Sequence, residues 1–466
     1  MSAEIWRIGA ADLAAAIRDK RLSAREAVEA HLTRIEAVNP RVNAVTVVLA
    51  ESALAEADRL DRQLASGGPV GPLHGVPFTV KENIDLAGSA TTEGVRALEH
   101  YLPPADAPHI AQARAAGGIP IGRTNLPDFG LRWHTDNALR GATRNPWDAG
   151  RSTGGSSGGD AVALATGMTP LGMGNDLGGS LRVPSHFNGT AALKPSYGRI
   201  AARHTTSPFE FPISFQLMAV EGPMARHVRD LRLAFASITG PDPRDPLWTP
   251  APLVGPALPK PIRVAVARDP GGLGVHPDVA AGIQRAADAL ADAGYRVEDA
   301  EPQVMEAYRS WQSLLMADVR LAWGAMGPLV SDDAQRFMQV LMTAEPVLDQ
   351  AGYAAGLAAR LGIARAWSEF QAERPLILGP VSTRPPFVVG EDTGSAKQVY
   401  AISESLRLTV AVNNLGLPSV AVPVGVANGL PQGVQVIGPR YREDLCLDAA
   451  EAIESRVGVP TPIEPR

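Results

Sequence analysis

Two serines in glycine-rich surroundings are the candidates for nucleophilic chemistry in this sequence. Ser156 lies between the pairs Gly154-Gly155 and Gly158-Gly159, and Ser180 follows Gly178-Gly179, 180 − 156 = 24 residues further on. Glycine pairs permit positive φ angles and let a backbone approach a ligand closely. A serine hydroxyl is nevertheless a poor nucleophile until a base removes its proton. The two serines therefore predict acyl transfer only if the fold brings a base to one of them.

Lys81 is the candidate base, because none of the nine histidines is placed in an obvious way to serve these serines. The apolar run Val76–Val80 ends directly at Lys81 and is typical of a buried strand. A lysine pKa of about 10.4 falls when the amine is buried, so a neutral Lys81 could accept a proton. Taken singly, a lysine after a strand is usually solvated and a glycine-serine loop is usually a turn or a linker. The prediction therefore rests on the combination.

The run Leu177–Ser180 predicts a site for negative charge. A chain that turns through Gly178 and Gly179 can point several N–H groups at one place, where they would hold a developing oxyanion. Ser180, at the end of that turn, would lie beside the same place. Nucleophile and oxyanion donors are thus expected within one short segment.

The elements that must position these residues alternate between helices and strands. A capping box at Ser23 and Glu26 starts a helix that we expect to stop near Asn39-Pro40. Further helices are predicted over residues 51–64, 160–166, 279–293 and most of 303–372, and strands over 76–80, 119–122, 262–266, 376–378, 420–422 and 434–437. The proline-rich residues 240–260 are interpreted as a surface connection. This alternation indicates helices layered on a mainly buried sheet.

Composition favours an ordinary globular enzyme: 466 residues, of which 45% are hydrophobic and 20% charged. The net charge of 43 − 49 = −6 offers no basic stripe for a phosphate backbone, so no nucleic-acid partner is expected. The single cysteine, Cys446, cannot form an internal disulfide. The N-terminus lacks the pattern of a signal peptide, and no apolar run reaches the roughly 18 residues of a membrane span. We therefore expect a cytoplasmic protein with no membrane association.

The motifs around these residues are also recognisable as a set. The segments GVPFTVKENID, GRTNLPDFG…TRNPWD, GGSSGG, GNDLGGSLRVPS and ALKPSYGR follow one another between Leu73 and Arg199. In type and order they resemble the amidase signature family. The resemblance continues more weakly through PIRVAVARD and NNLGLPSVAVPVG, so it covers most of the chain.

The resemblance implies a role for each reactive residue. Ser180 stands at the position of the nucleophile that forms the acyl-enzyme. Ser156 stands at the serine that follows a cis peptide bond, here Gly155–Ser156, and Lys81 at the final base. Ser157 would support the lysine. The implied mechanism is a relay in which neutral Lys81 takes the proton of Ser156 while Ser156 takes that of Ser180.

The resemblance also assigns the surroundings of the nucleophile. The N–H groups of Leu177, Gly178, Gly179 and Ser180 would form the oxyanion hole. Asp176 and Arg182 would brace that loop as an ion pair. The family often has threonine at the positions of Asn175 and Leu177, but a side-chain change leaves the backbone donors in place.

Substrate-binding residues are expected from two stretches, about Gly130 to Asn137 and the variable region 300–410. Gly130 and Trp133 lie in the first stretch. Trp133 replaces a residue that is commonly small in the family, and it either places a large ring near the acyl pocket or packs as a structural side chain. With the apolar Leu177, it favours an aryl or alkyl amide over a charged one, with esters and carbamates as possible side substrates.

The architecture implied by the resemblance is α/β: one α/β/α layered domain over residues 1–466, with a large twisted mixed β-sheet covered by helices on both faces. We expect N-terminal helices in residues 1–65 and the signature core with the catalytic residues in 66–240. Residues 241–466 would hold a variable helical region and the C-terminal strands that complete the sheet. A homodimer is the expected assembly.

Two other functions compete with an amidase acting alone. The glutaminase subunit of a tRNA-dependent amidotransferase shares the same core and would require RNA and a partner subunit. Such subunits place an acidic residue shortly before their NLAGLP motif; here the equivalent position falls near Leu406, or at Glu404 if the alignment slips. A catalytically inactive binding protein is disfavoured because Lys81, Ser156 and Ser180 are all present.

No cofactor is expected. The histidines and the cysteine show none of the spacings typical of metal ligands. The sequence has no G-x-x-x-x-G-K-[ST] phosphate loop, and the glycines at 271–274 lack the full dinucleotide-binding spacing. The expected ligand is therefore a small-molecule amide alone.

Overall fold

A computed structural model describes residues 2–207 and 209–466 of the chain. Within these residues one sheet of eleven strands forms the centre of the molecule. The strands are β1 (Val45–Val48), β2 (Pro77–Lys81), β3 (Ile119–Thr124), β4 (Leu171–Asp176), β5 (Ala191–Lys194), β6 (Val220–Ala225), β7 (Arg263–Val266), β8 (Arg296–Asp299), β9 (Leu376–Pro380), β10 (Ser419–Ala427) and β11 (Leu430–Ile437).

Helices connect and cover these strands. They are α1 (Ala10–Arg18), α2 (Ala24–Val42), α3 (Ala50–Ala65), α4 (Pro108–Ala115), α5 (Gly158–Ala165), α6 (Arg182–Asn188), α7 (Ile213–Met218), α8 (Val228–Ser237), α9 (Pro277–Asp292), α10 (Val304–Met326), α11 (Asp332–Ala344), α12 (Gln350–Glu373), α13 (Ala396–Ser405), α14 (Arg407–Leu415) and α15 (Glu443–Val457). Short 3₁₀ turns cover Ser2–Arg7, Arg96–Leu98, Asp128–Gly130, Gly327–Leu329 and Glu391–Thr393.

The sheet is mixed, with the strand order β1-β3-β2-β4-β6-β5-β10-β11-β9-β7-β8. β2 is parallel to both of its neighbours, β3 and β4, and β7 is parallel to β8 and β9. The other pairs are antiparallel. The carboxyl ends of parallel strands meet at one edge of a sheet. The last residues of β2 and β4 are therefore close together, and these include Lys81 and Asp176.

Both faces of the sheet are buried under helices, as predicted. Alternate residues of one strand enter different cores: Val264 and Val266 of β7 pack in the core with α9 and α15, whereas Ala265 packs with α10, α12 and α14. Strands buried on both faces read as continuous apolar runs, which explains why β7, β9 and β10 could be predicted from sequence. The predicted α/β/α layering and the mixed sheet are confirmed.

Two helices begin directly after the serines. α5 starts at Gly158, one residue beyond Ser157, and α6 starts at Arg182, two residues beyond Ser180. The first N–H groups of a helix carry partial positive charge and lack partners within the helix. Both candidate serines thus lie in backbone environments that favour negative charge.

The first long helix ends later than expected. Its capping box at Ser23 and Glu26 is present, but α2 continues through Pro40 to Val42. Proline already has the φ angle of a helix, and in the last turn it removes only one backbone donor. Asn43 then ends the helix in the left-handed conformation, and its N–H donates to Asn39 O at 2.7 Å.

Five strands were not predicted: β1, β4, β5, β6 and β8. β4 has the sequence LGMGND and β6 has VEGPMA, so glycine, proline and acidic residues interrupt the apolar pattern. β4 and β6 nevertheless each lie between two neighbouring strands that supply their hydrogen bonds. Tertiary pairing overrides a weak local preference in such cases.

Candidate active site

Lys81 ends β2 and is completely buried. Its amine lies 2.6 Å from the hydroxyl oxygen of Ser156 and 2.6 Å from the side-chain oxygen of Asn175. Because an amide oxygen can only accept a hydrogen bond, Lys81 Nζ donates to Asn175. The contact with Ser156 allows a proton to pass between hydroxyl and amine.

Burial lowers the pKa of Lys81 to about 8, because loss of water disfavours the charged amine. Buried carboxyl groups act in the opposite direction, with Asp160 the largest of them and Glu221 and Glu93 next. Burial also raises the pKa of Asp160 well above its usual range. The neutral amine, which can accept a proton, is therefore a minority form at pH 7 and becomes the major form above about pH 8.

Asn175 is a functional candidate to which the sequence alone assigned no catalytic role. It lies on β4, beside β2, and its side-chain nitrogen donates to Asn83 Oδ1 at 3.1 Å while its oxygen holds Lys81. Its contact with Lys81 could have been predicted from its position at the carboxyl end of a strand beside β2. The prediction was not possible because β4 itself was not predicted.

Ser156 and Ser180 are brought together by the backbones of their loops. The Gly155–Ser156 peptide bond is cis, as the resemblance implies. The N–H of Ser157 donates to the carbonyl oxygen of Ser180 at 3.1 Å, which joins the two serine segments directly. Both serine side chains are buried. Gly130 lies against Ser156: a Cβ atom at Gly130 would come within 3.1 Å of the Ser156 hydroxyl.

Ser157 is placed differently from its expected role. Its hydroxyl is buried and has no hydrogen-bond partner among the residues that the structure describes. Lys81 is instead held by Ser156 and Asn175. Support of the lysine by Ser157 therefore remains a prediction without a direct contact behind it.

The loop from Leu177 to Ser180 carries fewer free donors than expected. Asp176 accepts hydrogen bonds from the N–H of Gly179 at 2.7 Å and from the N–H of Leu181 at 3.2 Å. The Gly179 N–H therefore already has an acceptor, and its place in the oxyanion hole stays a prediction. The N–H groups of Leu177, Gly178 and Ser180 have no acceptor among the described residues, and these three remain candidate donors.

The expected pairing of Asp176 with Arg182 is present and completely buried. Arg182 Nε donates to Asp176 at 3.1 Å, and the same guanidinium donates to Gln435 and Asn413. Burial opposes ionisation of Asp176, but the charge of Arg182 and the hydrogen bonds outweigh it and hold its pKa well below the usual range. Asn413 also donates to Asp176 at 2.8 Å. This network holds the loop from both ends with charge-assisted hydrogen bonds.

A cavity of about 60 Å³ opens beside Ser180. Three parts of the chain line it: residues 129–133, the loop 177–180, and side chains of α7, α10 and α11 that include Phe215, Trp311, Met316, Met338 and Leu341. Among the described residues that line it, Arg132 is the one with a charge, and its guanidinium pairs with buried Asp392 at 2.9 Å. The cavity is therefore apolar and aromatic. Phe215 lies outside the two stretches expected to contribute.

Trp133 both lines this cavity and packs in the core. Its ring is 5.7 Å from the ring of Phe337 in an edge-to-face arrangement and 6.4 Å from that of Trp311. Its indole N–H donates to the carbonyl oxygen of Gly178 at 2.9 Å. The two interpretations of Trp133 are thus not exclusive.

The site has the components of nucleophilic acyl transfer: a buried amine in contact with the hydroxyl of Ser156, a second buried serine on the adjoining loop, and N–H groups without an acceptor among the described residues. The residues that the structure describes include no group of three or more His, Cys, Asp or Glu side chains that could hold a metal ion. Across the described ranges, no helix has both the length and the apolar character that crossing a membrane requires.

Comparison with known proteins gives consistent results. The Amidase family model matches residues 26–447. The chain is 46% identical over 458 residues to an indoleacetamide hydrolase of Bradyrhizobium diazoefficiens, covering 98% of this chain and 87% of that protein. It is 33% identical to a subunit of the glutamyl-tRNA(Gln) amidotransferase of Salinispora arenicola, over 98% of this chain and 99% of that one. The structure of a bacterial aryl acylamidase of the amidase signature family superposes with a TM-score of 0.82 at 26% identity, covering 96% of each chain.

Proposed function

The chain belongs to the amidase signature family and hydrolyses a carboxylic amide, and we propose that it acts on arylacetamides, such as indoleacetamide, through an acyl-enzyme on Ser180. The observation that carries the proposal is the position of Ser180 on the wall of an apolar, aromatic cavity. An aryl acyl group would bury its ring there and bring its carbonyl carbon to the hydroxyl. The similarity to an indoleacetamide hydrolase supports the same substrate class.

The proposed chemistry begins with a proton transfer. Neutral Lys81 accepts the proton of Ser156, and Ser156 accepts that of Ser180 as the Ser180 oxygen attacks the amide carbonyl. The tetrahedral oxyanion is stabilised by N–H groups of the 177–180 loop. Ser156 then returns a proton to the leaving nitrogen, the C–N bond breaks, and water releases the acid from Ser180 by the same relay. The 2.6 Å contact between Lys81 and Ser156 supports the first transfer.

The lining of the cavity bears on how a substrate is held. Its side chains can adjust to the shape of an aryl ring beside Ser180. Met316 and Met338 are suited to this because methionine is unbranched and adapts its shape easily. Arg132 is unsuited to binding a substrate anion because Asp392 already neutralises it.

The amidotransferase alternative is less favoured. Its subunits need an acidic residue near the substrate amine, and the two positions considered for it are Leu406 and Glu404. Leu406 is buried in the apolar core beside the cavity, and Glu404 is exposed. No acidic side chain is among the described residues that line the cavity.

A substrate panel tests the proposed specificity. The purified chain would be assayed alone with indoleacetamide, phenylacetamide, malonamide and glutamine, by ammonia release. We expect kcat/KM for the two aryl amides to exceed that for the two polar amides by at least about tenfold, since burying one aryl ring contributes roughly 1.5–3 kcal/mol. Preference for glutamine or malonamide would overturn the aryl assignment. Ammonia release that requires a partner subunit would favour the amidotransferase.

Covalent labelling tests the residues. By intact mass, a fluorophosphonate probe should add one label to the wild type, none to Ser180→Ala, and one at a reduced rate to Ser156→Ala and Lys81→Ala. Ser157→Ala is the matched control, because it removes a hydroxyl from the same loop that has no hydrogen bond to lose. Labelling of Ser180→Ala at the wild-type rate would refute Ser180 as the nucleophile.

The cytoplasmic location and the homodimer stay predictions from the sequence.

A further inference from the structure

Two tryptophans donate hydrogen bonds to consecutive carbonyl groups of the loop that precedes Ser180. The indole N–H of Trp311 donates to the carbonyl oxygen of Leu177 at 3.0 Å, and that of Trp133 donates to the carbonyl oxygen of Gly178 at 2.9 Å. Both indoles are almost completely buried. Trp311 comes from α10, in the region expected to vary, and lies 134 residues from Leu177 in sequence.

Holding a carbonyl also orients the N–H of the same peptide group. In a trans peptide the C=O and the following N–H lie in one plane and point in opposite directions. The cis bonds of the described residues are Gly155–Ser156 and two bonds to proline, so the peptides of this loop are trans. A donor that fixes the Leu177 carbonyl therefore turns the Gly178 N–H to the opposite side of the chain.

In the next peptide group, Gly178–Gly179, both the carbonyl and the N–H have hydrogen-bond partners. Its carbonyl, that of Gly178, accepts from Trp133, and its N–H, that of Gly179, donates to Asp176 at 2.7 Å. In the Leu177–Gly178 peptide, Trp311 holds the carbonyl, but the Gly178 N–H has no acceptor among the described residues. A buried N–H without a partner is uncommon in proteins, so this one is available for a ligand.

We propose that Trp311 is a positioning residue that sets the orientation of the Gly178 N–H as an oxyanion donor, an inference that rests on the proposed acyl-enzyme at Ser180. Trp311 also lines the acyl cavity, so one indole ring contacts the substrate group and aligns the donor. The fit is tight: a Cβ atom at Gly178 would come within 2.6 Å of the Trp311 ring. The ring can therefore lie this close only because residue 178 is glycine.

The test removes the indole N–H while keeping an aromatic ring. Trp311→Phe, and a second variant with benzothienylalanine at 311 that keeps the shape of the indole, would be assayed with a primary arylacetamide. We expect kcat to fall roughly tenfold to fiftyfold in both, with KM within about threefold of wild type. Outright loss of an oxyanion donor costs about 10²–10³ in kcat, and a misaligned donor should cost less. Affinity for phenylboronic acid, which forms a tetrahedral adduct on serine, should fall in parallel, whereas affinity for the product phenylacetate should not.

Matched variants separate this role from a simple cavity wall. Met338→Leu changes the lining without touching the loop, and we expect it to alter KM more than kcat. If the benzothienylalanine variant keeps the wild-type kcat and boronate affinity while Ser180→Ala is inactive, the positioning role is wrong and the proposed function stands. If Ser180→Ala retains activity, the acyl-enzyme itself is wrong, whatever the Trp311 variants do.

Discussion

Lys81 and Lys194 end two strands of the same sheet, and both side chains are completely buried. Burial lowers the pKa of each amine from the ordinary value of 10.5, to about 8 for Lys81 and about 7 for Lys194. Their contacts differ. Lys81 meets the hydroxyl of Ser156 at 2.6 Å, whereas Lys194 donates to the backbone carbonyl oxygen of Pro195 at 2.9 Å.

The difference teaches that a perturbed pKa does not by itself identify a catalytic base. A carbonyl oxygen has no proton to give, so Lys194 has nothing to deprotonate at its hydrogen-bond partner. Lys194 also lies near the ion pair of Asp176 and Arg182, and the charge of Arg182 contributes to its lowered pKa after burial. Structural networks shift pKa values as well as active sites do, and geometry must decide between them.

The largest expected effect separates the two lysines by activity. Lys81→Met should lower kcat by roughly 10²–10⁴, the usual contribution of a general base. Lys194→Met should leave kcat within about tenfold of wild type, because only the loop behind the nucleophile is affected. Both would be measured on the same arylacetamide, with folding checked by circular dichroism. Equal losses in the two variants would mean that the comparison fails and that Lys194 takes part in the chemistry.

The next effect separates them by pH. For both lysines the folded pKa lies below the unfolded one, so between them the unfolded state binds more protons and stability rises with pH. The free-energy cost of burying these two amines is therefore greatest below about pH 7, where the unfolded chain holds them charged. The cost falls as the pH rises toward 10.5, where the unfolded chain also loses these protons. We expect Lys194→Met to raise the free energy of unfolding at pH 6 by about 1–4 kcal/mol, measured by urea denaturation, with a smaller gain at pH 9.

The pH dependence of activity should follow the titration of Lys81 and not that of Lys194. In the wild type, kcat/KM should rise with pH through about 8, because only neutral Lys81 accepts a proton. Lys194→Met is the control and should keep this ascending limb unchanged while its stability profile changes. A limb that moves in Lys194→Met would show that the two amines titrate together.

A smaller effect is expected at Asn175, the contact of Lys81 that has no counterpart at Lys194. Asn175→Leu removes the acceptor at 2.6 Å and should lower kcat by about tenfold, because the amine loses one of its two anchors. Asn175→Thr keeps an oxygen and is the matched control, expected within about threefold of wild type. Steady-state kinetics at pH 8 would measure both. Identical kinetics for the leucine and threonine variants would show that Ser156 alone positions the lysine.

The smallest effect is expected at Ser157. Its buried hydroxyl has no hydrogen bond to lose, so Ser157→Ala should change kcat by less than about threefold. The rate of acylation by an activated ester would be the measurement. A loss of tenfold or more would restore the supporting role that the family resemblance implies.

Much of the local structure could be predicted from the sequence. The capping box at Ser23, the helix over residues 51–64 and the strand that ends at Lys81 all follow from short-range patterns, and the structure has them. The glycine-rich turn before Ser180 was expected from one short segment, and the Asp176–Arg182 pair was expected from the family resemblance. The class of enzyme followed from motif order, and the family match confirms it.

The rest depended on contacts between distant segments. β4 was missed because its glycines and acidic end resemble a loop, and with it the approach of Asn175 to Lys81, 94 residues away. Trp311 reaches Leu177 from 134 residues away. The Gly179 N–H was expected at the oxyanion hole, and only the folded loop shows that Asp176 accepts it.

The sequence by itself determined which residues could react and which short segments would carry them, because side-chain chemistry and local backbone preference act over a few residues. Tertiary structure decided which of two buried lysines meets a hydroxyl, which N–H groups stay free and which rings surround Ser180. The physical reason is that hydrogen-bond partners and burial are set by the strand order of the sheet and by the helices packed on it. Those arrangements join residues whose separation along the chain carries no local signal.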